Sequence, residues 1–336
     1  MNLEKLENIL SQESRFRLKQ AKHAIFFDLI SGWDQATNFP VALRDKLNNE
    51  MPLEIKSEIF KSREDNSAKA LIVLDDGLKI ETALMRHADG RNTVCVSSQA
   101  GCPVGCLFCA TGKAGFKRNL TVSEIVEQVL LFARLLKKEK KRVNGLVFMG
   151  MGEPFLNYEN VMRAIKILNS AEGLNIGARH ISISTVGIAG GIRKLAGEDL
   201  QLNLALSLHA PDDGLRSKII PYNNANPIKN LIKDINYYLA AAGRRVMIEY
   251  LMIRGFNDSR EHALELAALL KKIDPPLYFV NLISHNAVDD DFAPPESKKI
   301  FDFKKTLREQ KIDVTERCRF GRDIKAACGQ LAGKIK

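Results

Sequence analysis

The most informative stretch of this 336-residue chain reads Thr93-Val-Cys-Val-Ser-Ser-Gln-Ala-Gly-Cys102-Pro-Val-Gly-Cys106-Leu-Phe-Cys109. An apolar, strand-like run is followed by three cysteines with C-x3-C-x2-C spacing. Three thiolates so close together can hold one soft metal centre. Structural zinc normally has four protein ligands, and the nearest further cysteine, Cys95, lies inside the predicted strand. The stretch therefore favours a [4Fe-4S] cluster with one iron open to another ligand; zinc and simple buried thiols are the alternatives.

Beyond this stretch, short apolar runs alternate with helical patterns. The strand-like runs occupy residues 93–97, 146–148, 181–184, 202–207, 246–251 and 278–282. The first helix is the clearest, because Thr121 and Glu124 form a capping-box pattern ahead of an apolar stripe. Six β/α units predict an α/β fold with a parallel sheet and outer helices, arranged as a partial (β/α)6 TIM-like barrel. Active-site residues in such folds gather at the carboxyl ends of the strands.

The chain divides into four predicted segments. Residues 1–65 show helical apolar spacing with breaks at 38–40 and 51–52, which predicts a helical accessory domain. Residues 66–92 contain two strand-like runs around Asp75-Asp76-Gly77, the pattern of a β-hairpin linker. Residues 93–290 form the predicted barrel, and residues 291–336 form a basic carboxyl-terminal segment.

Charge is distributed unevenly along the chain. The net charge is +10, and residues 298–336 alone carry 12 Lys/Arg against 5 Asp/Glu. A localised basic surface suits RNA or DNA, although solvated lysines on helix faces are the alternative. No apolar run approaches the ~18 residues of a membrane span, and no signal-peptide pattern follows Met1. We therefore expect a cytoplasmic protein without a membrane partner, in which cysteines more often serve as ligands or catalytic thiols than as disulfides.

Polar residues follow several predicted strands, and one cysteine stands apart near the carboxyl end. A glycine lets a backbone approach a ligand closely and Glu153 offers an anionic acceptor, although a Gly-Glu pair alone more often marks a tight turn. For His209 a structural role and a ligand contact are both open. Cys328 is flanked by small residues, which suits a thiol that must be approached closely or, alternatively, a free core cysteine. The strand-end candidates are Gly152, Glu153, Ser184, Ser207, Leu208 and His209.

Together these motifs resemble the RlmN/Cfr family of radical S-adenosylmethionine (SAM) RNA methyltransferases. The matching landmarks occur in family order over residues 70–336, and residues 1–65 resemble the family's small helical amino-terminal domain less distinctively. Besides the opening stretch, the landmarks are Gly115-Phe-Lys-Arg-Asn-Leu-Thr121, Met149-Gly-Met-Gly-Glu-Pro154, Ser207-Leu-His-Ala210, Gly255-Phe-Asn-Asp258 and Ala326-Ala-Cys-Gly-Gln-Leu331.

The resemblance implies a role for each candidate. Cys328 would be methylated by a first SAM; a second SAM, bound at the open iron, would yield a 5′-deoxyadenosyl radical that activates this methyl group. Cys95 matches the family's resolving thiol, and Glu81 matches its proton acceptor; without the resemblance Glu81 is typical of a surface strand. The implied cluster ligands are Cys102, Cys106 and Cys109, and the implied SAM contacts are the strand-end candidates together with Asn286.

The resemblance also implies the substrate and partners. Polar methyl transfer from SAM does not reach the sp² carbons of adenine, so a radical route is required and the cofactors supply it. The expected substrate is an adenosine of the peptidyl-transferase centre in 23S rRNA and, for an enzyme of the RlmN type, also one next to the tRNA anticodon. Methylation at carbon 2 would use two SAM molecules per turnover. A flavodoxin-type reductant and a monomeric enzyme are the further expectations.

Two other functions stay open at this point. A Cfr-like enzyme would methylate carbon 8 instead of carbon 2. A non-catalytic RNA-binding protein with a structural metal would leave the combination of Cys328, Cys95 and Glu153 unexplained. Two features also depart from the family pattern: residues 287–291 are acidic where a Pro- and Gly-containing loop is common, and Cys318 has no place in the mechanism, so we treat it as a bystander.

Overall fold

The computed structural model describes residues 3–286 and 291–333. Its strands are β1 Ser57–Lys61, β2 Ala68–Val73, β3 Lys79–Arg86, β4 Asn92–Cys95, β5 Gln99–Gly101, β6 Phe116–Asn119, β7 Gly145–Phe148, β8 Ile181–Thr185, β9 Asn203–Ser207, β10 Val246–Met252, β11 Tyr278–Ser284 and β12 Val314–Glu316. Its helices are α1 Leu3–Ile9, α2 Arg15–Phe26, α3 Val41–Glu50, α4 Ala110–Lys113, α5 Val122–Lys138, α6 Tyr158–Asn169, α7 Gly191–Ala196, α8 Asp213–Ile219, α9 Ile228–Ala242, α10 Arg260–Leu270 and α11 Ser297–Glu309.

Across the described residues, ten strands form one sheet in the order β1-β2-β3-β4-β7-β8-β9-β10-β11-β12. The strands from β4 to β12 pair in parallel, and β1 to β4 pair antiparallel. The six predicted strands are therefore consecutive neighbours, as a series of right-handed β/α units requires. The end strands β1 and β12 do not pair with each other, so the barrel is incomplete, as predicted.

The sequence analysis missed three features of the β-structure, two in this sheet and one outside it. β1 lies inside residues 1–65, which were expected to be helical, and it extends the predicted hairpin by one antiparallel strand. β12 adds a short seventh parallel strand beside β11. β5 and β6 form a separate two-stranded ribbon that brackets the cysteine loop. All three involve strands of three to five residues, which are too short to display a clear period-2 alternation.

α5 confirms the predicted capping box and shows how the helices cover the sheet. The Thr121 hydroxyl accepts from the Glu124 N–H at 3.3 Å, and the Glu124 carboxylate accepts from the Thr121 N–H at 2.8 Å. The apolar stripe that follows, including Ile125, Val129 and Leu136, is buried. A helix so fixed at its start lays its apolar face on the sheet.

The amino-terminal helices pack around Trp33, which is fully buried and donates its indole N–H to the Met51 carbonyl at 2.8 Å. They are tied to the outer face of α5, because Arg134 donates to the Leu53 carbonyl at 2.9 Å and Lys137 donates to the Asp28 carbonyl at 2.5 Å. No helix within residues 3–286 and 291–333 is long and apolar enough to cross a membrane.

Residues 317–333, which we call the strap, follow β12 and cross the carboxyl end of the sheet. Gly321 donates its N–H to the Asp65 carboxylate at 2.7 Å. Farther along, the Gly329 carbonyl accepts from the Ala110 N–H at the start of α4 at 2.8 Å. The strap thus joins the antiparallel edge of the molecule to the cysteine loop, and it brings Cys328 over the strand ends.

Candidate active site

A cavity opens at the carboxyl ends of the parallel strands and is closed on one side by the strap. The space within it is about 1450 Å³, of which part is open to solvent at the mouth. Most residues predicted from sequence line this one cavity: Cys95, Cys102, Cys106, Cys109, Gly152, Glu153, Ser184, Ser207, His209, Asn286 and Cys328. Glu81 and Leu208 do not.

The three thiols of the cysteine loop lie in a region with little water. Burial raises the pKa of Cys102 to about 12 and raises the pKa of Cys106 well above its ordinary value, and each of the two thiols also interacts with the Cys109 sulfur and the Glu153 carboxylate. Cys102 and Cys106 therefore do not ionise together without a compensating positive charge. A metal centre supplies that charge, because a coordinated thiol loses its proton.

The donor set fits an iron–sulfur cluster better than a single ion. Among the described residues, no three His, Cys, Asp or Glu side chains converge on one ion. Ligands of a cubane need not converge, because each thiolate binds a different iron atom. A closed zinc site would also need a fourth protein ligand. Cys102, Cys106 and Cys109 could therefore hold a [4Fe-4S] cluster and leave one iron for another ligand.

Glu153 is fixed in the cavity wall by the backbone around it. Its carboxylate accepts from the Phe155 N–H at 3.0 Å and the Val186 N–H at 2.9 Å. Burial nevertheless raises its pKa to about 7. The preceding Gly152 has φ +97°, and a Cβ there would lie 2.5 Å from the Gln99 side chain, so only glycine lets the chain turn here. The arrangement presents a carboxylate suited to a ligand amino group.

His209 is a neutral histidine with one nitrogen committed to the fold. Its Nδ1 accepts from the Leu251 N–H at 3.0 Å, so its proton lies on Nε2. Burial and the nearby Arg216 lower its pKa to about 3. Ser184 and Ser207 line the same wall with their hydroxyls 3.1 Å apart. These three side chains offer a polar, uncharged surface to a ligand.

Leu208 differs from its neighbours, because its side chain is fully buried in the core and does not reach the cavity. What its position contributes is a carbonyl, which accepts from the Arg216 guanidinium at 3.0 Å. Arg216 is itself buried and also donates to the carbonyls of Ser207 and Val186. The sequence analysis missed this arginine, which holds together the ends of two neighbouring strands.

Cys328 and Cys95 face the same space from different parts of the chain. Cys95 is the last residue of β4, whereas Cys328 lies on the strap. The backbone carbonyl of Cys328 accepts a hydrogen bond from the Asn286 side-chain amide at 3.2 Å. Burial, and after it the Cys328 sulfur, raises the pKa of Cys95 to about 12. Their electrostatic interaction and their shared cavity bring the predicted carrier and resolving thiols together.

Arg317, the first residue after β12, is a cavity residue that the sequence analysis missed. Burial alone would lower its pKa, but the sulfur of Cys328, the carboxylate of Glu249 and the sulfur of Cys95 outweigh burial and raise it. Its guanidinium lies 3.2 Å from the Glu249 carboxylate, which also accepts from Asn281. The rule that functional residues follow parallel strands would have found Arg317, had residues 314–316 been recognised as a strand.

Glu81 is 2% exposed on β3 and lies behind the end of the strap. One carboxylate oxygen lies 2.8 Å from the Lys69 ammonium group. The other accepts from the N–H groups of Ala332 and Gly333 at 2.5 and 3.0 Å. The alternative to the family role, a surface strand residue, is excluded, because the antiparallel neighbour and the strap cover this position.

The two departures from the family pattern fall at the edge of the site. Residues 287–290 lie outside the described residues, and Asp291 after them forms an ion pair with Lys113 at 2.6 Å. Cys318 is exposed at the cavity mouth. In the basic segment, Lys298 pairs with Asp302 and Lys304 with Glu316, so part of its charge is matched locally.

Comparisons with known proteins agree with this site. The family model described as the Radical SAM superfamily matches residues 96–267. A protein described as a probable dual-specificity RNA methyltransferase RlmN, from Dictyoglomus thermophilum, is 46% identical over 320 residues, which cover 95% of this chain and 91% of that protein. A Bacillus cereus protein with the same description is 45% identical over 324 residues, covering 96% and 88%.

Among solved structures, one described as a radical SAM methyltransferase from Sphaerobacter thermophilus superposes with a TM-score of 0.94 and 42% identity. The match covers 99% of this chain and 98% of that one. It therefore extends from the amino-terminal helices to the strap and is not confined to the barrel.

Proposed function

This chain belongs to the RlmN family of radical SAM RNA methyltransferases, and from that membership we propose that it methylates carbon 2 of adenosine in 23S rRNA. We include the adenosine next to the anticodon of tRNA as a second substrate. The observation that carries the proposal is that Cys328, Cys95 and the three cysteines of the loop line one cavity. A thiol that carries one carbon must meet both the radical source and the RNA, and the shared cavity supports this role for Cys328.

Superfamily membership implies a [4Fe-4S] cluster and SAM as cofactors. We assign Cys102, Cys106 and Cys109 to the cluster and Glu153, with the surrounding backbone, to the amino group of SAM. Ser184, Ser207, His209 and Asn286 would complete the SAM site, and Leu208 would contribute through its backbone alone. Bound there, the cofactors supply the radical that makes an sp² carbon reachable.

The chain's own residues would carry out the remaining steps. Cys328 would first take a methyl group from one SAM, its thiolate forming the new carbon–sulfur bond as the methyl–sulfonium bond breaks and S-adenosylhomocysteine leaves. After this carbon is activated with a second SAM and joined to adenine, the ring proton would pass to Glu81 and the one unpaired electron of the adduct would return to the iron–sulfur centre, so that the aromatic ring is restored. Cys95 would then attack the Cys328 sulfur. A disulfide forms, the carbon–sulfur bond breaks with its electron pair on carbon, and that carbon takes a proton to become the product methyl group.

RNA would approach from the mouth of the cavity. The target base must leave its stack to reach Cys328, which single-stranded loops permit most easily. Arg319 lines the cavity, and Arg322 and Lys325 are exposed on the strap, so phosphate groups meet positive charge near the mouth. We propose a monomeric cytoplasmic enzyme that receives electrons from a flavodoxin-type reductant.

Product analysis tests the proposed function. Nucleosides from 23S rRNA and tRNA of cells with and without the gene would be compared by mass spectrometry against 2- and 8-methyladenosine standards. We expect 2-methyladenosine to disappear from both RNAs when the gene is deleted and to return with the wild-type gene, but not with the Cys328→Ala variant. An 8-methyl product alone would replace the carbon-2 assignment with a Cfr-like activity.

A further inference from the structure

The contacts of Glu81 distinguish its two oxygen atoms. Lys69 and Glu81 lie on adjacent antiparallel strands, where Leu71 is directly opposite Glu81 and Lys69 is its diagonal neighbour on the same face. The Lys69 ammonium group is 2.8 Å from one carboxylate oxygen, and it lies over the Phe60 ring at 5.7 Å. Both members of the pair are buried, so this contact is built into the hairpin itself.

The second oxygen depends on the strap. Ala332 and Gly333 both direct their N–H groups at it. Gly333 has φ +66°, and a Cβ there would lie 2.5 Å from the Lys79 carbonyl, so this backbone position suits glycine alone. The preceding Leu331 lines the cavity and its carbonyl accepts from the Thr111 hydroxyl at 2.6 Å. The strap's end therefore stands between the cavity and Glu81.

In this arrangement a base in the cavity does not reach the Glu81 carboxylate, because the end of the strap lies between them. One oxygen holds an ammonium group and the other holds two amides, and the strap blocks the approach. The Lys69 contact does not involve the strap and persists if the strap moves. The two amide contacts are lost when the strap moves.

We propose that Lys69 is a positioning residue for Glu81, and that the Ala332 and Gly333 amides mask the carboxylate until bound RNA displaces the end of the strap. This inference rests on the proposed function of Glu81 as proton acceptor. When the strap's end leaves, one oxygen is freed while Lys69 keeps the carboxylate fixed. A proton can then pass from the adenine ring carbon to Glu81, and the C–H electron pair stays in the ring.

The first experiment separates resolution of the RNA adduct from the steps before it. Holoenzyme with reconstituted cluster would undergo a single turnover with an RNA hairpin, and the covalent adduct and the methyl group on Cys328 would be followed by mass spectrometry. We expect Lys69→Met to slow adduct decay about tenfold to a hundredfold, as misplacement of a reacting group does. Methylation of Cys328 should stay within about twofold of wild type, because that step does not use Glu81.

Lys69→Arg is the conservative control, since it restores a cation beside Glu81 and should recover most of the decay rate. Lys69→Gln keeps a hydrogen-bond donor and serves if the methionine variant does not fold. Adduct decay at the wild-type rate in a folded Lys69→Met or Lys69→Gln variant would overturn the positioning role. Equal slowing of Cys328 methylation and adduct decay would also overturn it, because that indicates a general structural defect.

The second experiment tests the mask without altering Lys69. Hydrogen exchange of the peptide containing Ala332 and Gly333 would be compared between free holoenzyme and the adduct accumulated in the Cys95→Ala variant. We expect these amides to exchange at least tenfold faster in the adduct, while amides of β10 stay unchanged. Equal protection in both states would overturn displacement of the strap.

Glu81→Gln distinguishes failure of this inference from failure of the proposed function. If Glu81→Gln resolves the adduct at the wild-type rate, Glu81 is not the proton acceptor and the proposed mechanism is wrong at that step. If Glu81→Gln accumulates adduct but Lys69→Met does not, only the positioning role is wrong.

Discussion

The cysteine loop and the strap form adjoining walls of the same cavity, and the chain builds the two walls in different ways. The loop places three thiols within eight residues, between the two strands of a small ribbon. The strap brings Cys328 from more than two hundred residues away and is held at separate points, by one hydrogen bond each to Asp65 and Ala110 and by two to Glu81. The comparison teaches that the proposed cluster ligands lie close together in sequence, whereas the proposed carbon carrier lies on a segment attached by a few separate hydrogen bonds.

The largest expected effect separates the two walls. Cys106→Ala should lose the cluster and all activity, because two thiolates hold a cubane poorly. Cys328→Ala should keep the cluster and still form no methylated RNA, because the carbon has no carrier. Iron content, visible absorbance and product analysis on anaerobically reconstituted proteins would measure this. Loss of iron in Cys328→Ala would show that the strap supports the cysteine loop. It would contradict the view that the loop holds the cluster without the strap.

The next prediction tests the reaction between Cys95 and Cys328 that would release the RNA. Cys95→Ala removes the thiol that would attack the Cys328 sulfur, so the RNA should remain attached to the strap. We expect accumulation of a protein–RNA adduct on denaturing gels and little released product. The matched control is Cys318→Ala, since Cys318 is exposed and has no assigned role. Wild-type turnover in Cys95→Ala would contradict the resolving role.

A smaller effect is expected when the positive charge of Arg317, near Cys95 and Cys328, is removed. Arg317→Met removes the guanidinium that interacts with Cys328 and Cys95, and a nearby cation favours the reactive thiolate. We expect transfer of the methyl group from deuterium-labelled SAM to Cys328 to slow about tenfold. Arg322→Met, an exposed strap position, should match wild type. Transfer at the wild-type rate in Arg317→Met, or an equal deficit in Arg322→Met, would contradict a specific role for this charge.

The smallest effect concerns the attachment of the strap to the loop. Thr111→Val removes the hydroxyl that donates to the Leu331 carbonyl and should weaken this attachment by about 1 kcal/mol. We expect faster hydrogen exchange across residues 329–333 with little change in the melting temperature of the barrel. Unchanged exchange would mean that the other contacts hold the strap without this bond.

Local sequence patterns predicted much of the fold. The six parallel strands, the hairpin and the α5 capping box were all visible, because turn residues, apolar runs and caps act over a few neighbouring positions. β1, β12 and the ribbon were missed because strands this short acquire their structure from the neighbours they pair with. Leu208 was assigned to the cavity because a sequence shows that a residue follows a strand, but not which way its side chain points.

What the sequence determined by itself is the chemistry available: a three-thiol loop, a lone cysteine among small residues, and the family resemblance that joins them. The tertiary structure decided the partners of each group. Lys69 meets Glu81 through strand register, Arg317 meets Cys95 at the end of β4 and Cys328 on the strap, and the Ala332 amide reaches Glu81 across 251 positions. Such pairings depend on how the sheet orders its strands and where the last segment crosses them, and local propensity carries no information about either.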